Sequence, residues 1–280
     1  MTNATVIDAT LAAEVAFNRR QSDRRRDSFL RGFSVVMFFV VWEAFAQLNS
    51  GYLKLFNPIL LPPPQDVALA GWKMLQTGEL QRDIAASLWR VFCGFLMASV
   101  VGVAAGMIVS RSKTLSALFE PIVDMLRPIP SLAFLPMLVL WLGIGDLSKI
   151  AFIAYATFFP VFTTTLQGVR HIDRVLLRAA ASLGASRFDT FRYVELQAAF
   201  PSIITGLRLG FSQAFLVIVA AEFIAADSGL GYLINDSRTF FDMPRMLLGA
   251  TVIGLIGFIF SVLLGHAEAR LLRWHTGTRG

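Results

Sequence analysis

The sequence predicts an all-α, polytopic membrane bundle of six transmembrane helices, and three observations predict it. Hydrophobic residues make up 55% of the 280 residues and charged residues only 16%, where a soluble domain carries about 25% charged. Mean hydropathy is +0.62, more apolar surface than one soluble core buries. The apolar residues also gather in runs of about 20, the length a helix needs to cross a bilayer. In lipid every backbone group must be paired within helices or closed barrels. These runs are too long and too continuously apolar for barrel strands.

In chain order the runs are 32–50, 88–109, 118–142, 147–168, 203–225 and 246–266. The first follows a polar tail, 1–28, rich in arginine: Arg19, Arg20, Arg24, Arg25 and Arg26, with Arg31 just beyond. Basic, apolar and then Ala44-Phe45-Ala46 could be a cleaved signal peptide, but the tail is long for that and Glu43 sits badly beside a cleavage site. A retained signal anchor behind a disordered tail is the expectation. The second run carries Gly102 and Gly106, which suit close packing within the bundle. The third and fourth are split only by Gly143-Ile144-Gly145-Asp146, so they form a hairpin. Pro128 and Pro130 remove backbone donors and predict a break in the third.

Arginine and lysine set the orientation. With the N-terminus in the cytoplasm, the inside holds the tail, Arg111, Lys113, Arg170, Arg174, Arg178, Arg187, Arg192, Arg270, Arg273 and Arg279. The outside holds Lys54, Lys73, Arg82, Lys149, Arg238 and Arg245. Both termini are then cytoplasmic. The net charge of +6 reflects this bias and implies no nucleic acid. The single cysteine, Cys93, rules out an intrachain disulfide framework and reads as packing.

Of the connecting stretches, 51–87 and 226–245 lie outside and 169–202 inside. Residues 51–87 contain the stiff Leu61-Pro62-Pro63-Pro64 and then a helix along the surface. In the inner stretch Asp173 is a helix N-cap, Val175, Leu176, Ala179, Ala180 and Leu183 share a face, and Gly184 ends the helix. A second helix starts at Ser186, shows Phe188, Phe191 and Val194 on one side, and closes at Pro201. This two-helix loop either lies on its own bundle or docks a cytoplasmic partner.

The loop resembles the EAA loop of ABC import permeases, patterned Glu-Ala-Ala, three residues, Gly, nine residues, Ile, one residue, Leu-Pro. Here Arg178-Ala179-Ala180 is followed by three residues and Gly184, and later by Val194, Glu195, Leu196 and Gln197. Arg178 stands for the Glu, and Gln197 stands for the Pro. From about residue 55 onward, Leu61-Pro62-Pro63-Pro64-Gln65, Arg127-Pro128-Ile129-Pro130-Ser131-Leu132-Ala133, Trp141-Leu142-Gly143-Ile144-Gly145, Ala221-Glu222-Phe223-Ile224-Ala225 and Gly229-Leu230-Gly231-Tyr232 look like permeases of the taurine, aliphatic sulfonate, nitrate and bicarbonate group.

The resemblance implies a MetI-like, type I importer permease fold over 29–280, with its core at about 86–270 and its coupling loop at 169–202. It implies a homodimer in the bacterial inner membrane, two ATP-binding subunits and a periplasmic or lipid-anchored binding protein. ATPase coupling falls on Arg178, Ala179, Ala180, Ser182, Leu183, Gly184, Ala185, Ser186 and Arg187. ATP and magnesium would be bound by the partner ATPase, since this sequence has no Gly-x-x-x-x-Gly-Lys-Ser/Thr loop. The chain is then no enzyme, needs no cofactor or metal of its own, and passes a small anion, sulfonate ahead of nitrate or bicarbonate.

Ionisable residues in spans are candidates for the path. Arg127 and Pro130, beside the break, would attract an anion, or Arg127 pairs with a lipid phosphate or a carboxylate. Arg208 contacts substrate or reaches to the inner interface. Glu222 contacts substrate or makes a structural hydrogen bond. Ser99, Ser212 and Gln213 suit interhelical hydrogen bonds. Against a secondary transporter, Glu43 and Glu222 both lie near the outer end of their spans, and no internal repeat is found. Against a membrane enzyme, His171, His266 and His275 fall at or beyond span ends, without metal spacing or a nucleophile–base pair.

Overall fold

Every element among the described residues is helical. The computed structural model describes residues 30–272 apart from Arg31, Val35 and Phe56. The expectations for the tail 1–28, Arg31, Arg273, His275 and Arg279 therefore lie outside the described residues. The chain divides into two units, Met1–Leu69 and Ala70–Gly280. The first unit holds α1, Gly32–Tyr52. A π-turn, Asn49–Leu53, ends it, where the Asn49 carbonyl accepts from the Lys54 amide and its side-chain oxygen accepts from the Leu55 amide, both at 3.0 Å. α2, Pro64–Thr77, follows the proline run and begins in this unit.

The second unit contains α3 (Glu79–Arg111), α4 (Lys113–Leu126), α5 (Leu135–Leu142), α6 (Asp146–Arg170), α7 (Arg174–Ser182), α8 (Arg187–Asp189), α9 (Leu196–Ala225), α10 (Leu230–Thr239) and α11 (Met243–Leu271). Among the described residues, five helices are long and apolar enough to cross a membrane, or six if α4 and Ser131–Leu142 form one broken span. That pair bends by 91° at the break predicted from Pro128 and Pro130. The spans overrun the apolar runs because polar residues extend their ends. α3 and α6 start on Glu79 and Asp146 and finish on Arg111 and Arg170, the arrangement the helix dipole favours.

α6 is the central helix, with 56% of its apolar window buried against 11% for α11. It packs between α3 and α9. Val91, Leu135, Phe152, Ile153, Phe211, Ala214 and Ile218 form the main core from α3, α5, α6 and α9. Phe92, Phe95, Phe211, Phe215 and Phe260 continue it as an aromatic stack onto α11. Lipid gives helices no hydrophobic reason to associate, so close approach of small residues takes over. The expectation for Gly102 and Gly106 holds here. A Cβ on Gly106 would lie 2.8 Å from Thr165 Cβ and 3.0 Å from the Phe162 carbonyl oxygen, and one on Gly102 3.0 Å from Val161 Cγ1.

One expectation fails. Pro201 does not close a loop helix; it lies inside α9, and the helix runs unbroken from Arg187 to Ile224. A π-turn, Thr190–Glu195, joins α8 to α9. Proline's fixed φ is already helical, so its cost is a lost donor and a local clash. Membrane helices absorb both by local π adjustments and side-chain hydroxyls, and here the π-turn Thr190–Glu195 lies just ahead of Pro201.

Adding one methyl group at two glycines tests this packing. Gly106→Ala should destabilise by about 1–3 kcal/mol, as overpacking does. Gly254→Ala, where a Cβ meets nothing within 4 Å, should be neutral or stabilising by about 0.5–1 kcal/mol. Unfolding in mild detergent measures both.

Candidate functional site

Three features of the second unit concentrate polar chemistry: the 169–202 loop, a cavity beside the break after α4, and a buried ion cluster at the end of the bundle that carries the Gly143–Asp146 turn.

The loop forms as its sequence dictates. Asp173 Oδ1 accepts from the Val175 amide at 2.8 Å, capping α7. Gly184 takes φ +75°, a conformation that costs glycine little. There the Ala185 amide reaches back to the Ala180 carbonyl at 3.1 Å and closes the helix end. Ser186 Oγ accepts from the Asp189 amide at 3.1 Å and donates to its carboxylate at 2.6 Å, starting the next turn. The apolar face of α7 does not lie on its own bundle. Val175 is 56% exposed, Leu176 49%, and Leu183 87%, while Ala180 alone of that face is buried. Arg178, Ala179, Ser182, Gly184, Ser186, Arg187 and Phe188 are exposed, and Ala185 partly so. Arg178 makes only a long bond to the Arg174 carbonyl in its own helix.

The loop is nevertheless tied to the spans. Arg111, the last residue of α3, donates to the Arg187 carbonyl at 3.4 Å, pairs with Glu195 at 3.4 Å and covers the Phe191 ring at 5.0 Å. Arg170, the last residue of α6, pairs with Glu120 of α4 through both nitrogens.

The sequence candidates for a path separate. Arg127 and Pro130 line one cavity of about 370 Å³ with Ser131, Tyr155, Phe159 and Gln213. Arg208 is not among its lining residues; it pairs with Glu268 of α11 at 2.8 Å. Glu222 is not there either, and its side chain is fully buried. The interhelical bonds expected of Ser99 and Ser212 are not formed. Ser212 Oγ bonds the Arg208 carbonyl of its own helix, and Ser99 Oγ is buried without a partner among the described residues.

Glu222 belongs to the ion cluster. Its Oε1 lies 2.6 Å from Arg90 Nη1, its Oε2 accepts from the Gly231 amide at 2.8 Å, and both oxygens lie 2.9 Å from Ser87 Oγ. Arg90, 2% exposed, also donates to Asp146 at 2.8 Å and to the Ser228 carbonyl at 2.6 Å. Asp83 accepts from the Gly229 amide at 3.0 Å, and Ser87 Oγ from the Leu230 amide at 2.8 Å. Three acceptors of α3 and α9 thus take the first amides of α10, which the helix dipole makes favourable for carboxylates. Lys149, also buried, donates to the Gly145 carbonyl at 3.1 Å. Sequence reasoning missed Arg90, whose signal was plain: an arginine inside an apolar run needs a partner.

Residues 94–273 match the family described as binding-protein-dependent transport system inner membrane component. Among similar proteins, the taurine transport system permease protein TauC of Escherichia coli is 37% identical over 247 residues, covering 86% of this chain and 88% of that one. A putative aliphatic sulfonates transport permease protein, SsuC of Bacillus subtilis, is 30% identical over 263 residues, 94% of each. In structure, a chain of the MetNI methionine ABC transporter in an inward-facing form is similar with a TM-score of 0.58 at 19% identity, covering 72% of this chain and 97% of that one.

Removing one member of the buried pair leaves a desolvated charge. Glu222→Ala should destabilise the bundle by about 3–5 kcal/mol. Glu268→Ala, at the half-exposed Arg208 pair, should cost about 1 kcal/mol or less. Thermal unfolding of both variants in the same detergent checks the contrast.

Proposed function

The chain belongs to the binding-protein-dependent transport system inner membrane components, and we propose that it is the channel-forming subunit of an ATP-driven importer whose 169–202 loop receives the stroke of a separate ATPase. The observation that carries this is the exposed apolar face of α7, held off its own bundle by the Asp173 cap and the Gly184 turn. An amphipathic helix that turns Val175, Leu176 and Leu183 to water suits docking into a partner's groove.

In this reading the loop end is cytoplasmic, with both termini on that side, and the turn end of the bundle meets a soluble or lipid-anchored binding protein. Two copies of the chain enclose the path, two ATPase subunits bind ATP and magnesium, and this chain breaks no bond. Closure of the ATPases pushes α7 and α8. Because α8 continues through the π-turn into α9, and Arg111 clamps the loop to α3, the push reaches both spans and alternates access. The solute is a small oxyanion, a sulfonate such as taurine ahead of nitrate or bicarbonate. Similarity to the taurine and sulfonate permeases supports that choice.

Co-purification in mild detergent from native membranes tests the assembly. An ATPase subunit and a binding protein should accompany the chain, and its recovery alone after cross-linking would return the secondary transporter. Gly184→Glu tests the loop. A side chain at φ +75° with a charge on the docking face should abolish solute-coupled transport in proteoliposomes while leaving membrane insertion intact. Uptake at the wild-type rate would remove the loop from the coupling path.

A further inference from the structure

The cavity lined by Arg127 has a depth, a charge and a set of unpartnered groups that the loop and the ion cluster do not explain. Its depth follows from α6. That helix has 25 residues, about 37 Å at 1.5 Å per residue, and the lining residues Tyr155, Ala156, Phe159 and Pro160 straddle its midpoint. Gln213 lies just past the middle of α9, on the cavity's other wall. The cavity is therefore near the bilayer midplane, well below the level of lipid phosphates.

Its polar groups are free. Arg90, Arg111, Arg170, Arg208 and Arg245 each hold a carboxylate. Arg127 holds none among the described residues. Tyr155 Oη is buried with no hydrogen-bond partner. Ser131 Oγ and the Gln213 amide likewise have no side-chain hydrogen bond among the described residues. Arg127 is exposed and Ser131 and Gln213 are partly buried, so the cavity is open on one side. An uncompensated arginine at this depth is costly unless water or a ligand meets it, and the buried open donor, Tyr155 Oη, points to a group that fills it.

We propose that this cavity is an oxyanion station of the permease itself. Arg127 supplies the positive charge, Ser131, Tyr155 and Gln213 supply hydrogen bonds, and Phe159 with Ala156 forms an apolar wall for a short organic tail. A sulfonate head fits this set. It carries one negative charge and three acceptor oxygens, which a guanidinium meets with paired donors while hydroxyl and amide take the remaining lone pairs. The site would thus check charge at mid-path, after the binding protein has released its cargo. This rests on the importer reading for the identity of the solute, but not for the existence of the site.

The test uses the full chain, with the subunits that co-purify with it, in nanodiscs. Cys93 is replaced by alanine and Ile129→Cys, at a lining residue with no part in holding the anion, supplies this chain's only thiol. It is labelled with two methanethiosulfonate reagents of similar size, one ending in a sulfonate and one in a trimethylammonium. The anionic reagent should react at least about ten-fold faster, the scale at which charged clefts alter association rates. Millimolar ethanesulfonate should slow it, and an equal concentration of ethanol should not. Arg127→Gln should abolish both the preference and the protection, and Arg127→Lys should keep much of each, which separates charge from misfolding. Equal rates, no labelling by either reagent, or a preference that survives Arg127→Gln would overturn the station. So would an anionic preference that ethanesulfonate cannot compete, the result expected of a positive potential with no binding site; a lipid phosphate already on the arginine would instead give equal rates. Labelling needs no ATPase, so a failed co-purification leaves this result readable, and failed labelling leaves the importer reading intact.

Discussion

The Arg90–Glu222 pair is the constraint on which the ordering of the bundle depends. Helices in lipid are not driven together by their apolar surfaces, since lipid tails solvate those as well as a neighbour does. What distinguishes one arrangement from another is where polar groups are satisfied. Arg90 on α3 can be satisfied only where Asp146 of α6, Glu222 of α9 and the Ser228 carbonyl converge. Glu222 also holds the Gly231 amide at the start of α10. One cluster thus fixes four helices at one end, and the small-residue contacts of α3 with α6 complete the register along their length.

The same helix carries the opposite fixed point. Arg90 and Arg111 are 21 residues apart on α3, about 31 Å along a straight helix and close to the hydrocarbon thickness. At one end α3 is locked into the buried cluster. At the other it holds the loop through Arg111, whose contacts with Arg187 and Glu195 are longer and more exposed. Tight, desolvated bonds at one end and looser ones at the other suit the proposed stroke, in which α3 pivots at the cluster as the loop moves. The unbroken run from α8 into α9 adds a second rod on the same loop, anchored to the same cluster through Glu222.

What the sequence made legible was local. A span is an apolar run of sufficient length, so five were readable as single helices and the third run as a pair bent at its prolines. A cap is a residue type at a position, so Asp173 and Gly184 were readable too. Span ends were not, because Glu79, Arg82 and Asp83 extend α3 outside its apolar run. The role of Pro201 was misread because rules for helices in water treat proline as a terminator, whereas a membrane helix continues through it. The ion cluster was invisible for a different reason: Arg90 and Glu222 are 132 residues apart, and no local pattern reports so distant a pair. Yet two stretches that carried the family resemblance, Ala221–Ala225 and Gly229–Tyr232, meet in that cluster. Their shared pattern has a physical reason in the capping of α10.

The loop shows why amphipathicity alone could not choose between docking and self-packing. The spacing of Val175, Leu176, Ala179 and Leu183 gives one apolar face under either reading, because periodicity reports that a face exists and not what covers it. Burial argues against self-packing, because Val175, Leu176 and Leu183 are exposed. A similar logic separates the intramembrane cations. Composition treats Arg90, Arg127 and Arg208 alike, as costly charges within or beside apolar runs. Arg90 and Arg208 are each neutralised by a glutamate on another helix, so their charge is consumed in holding helices together. Arg127 has no such partner among the described residues, and it stands where proline has broken the helix and opened a cavity at mid-span. Charge that is not spent on structure is what the proposed oxyanion station draws on.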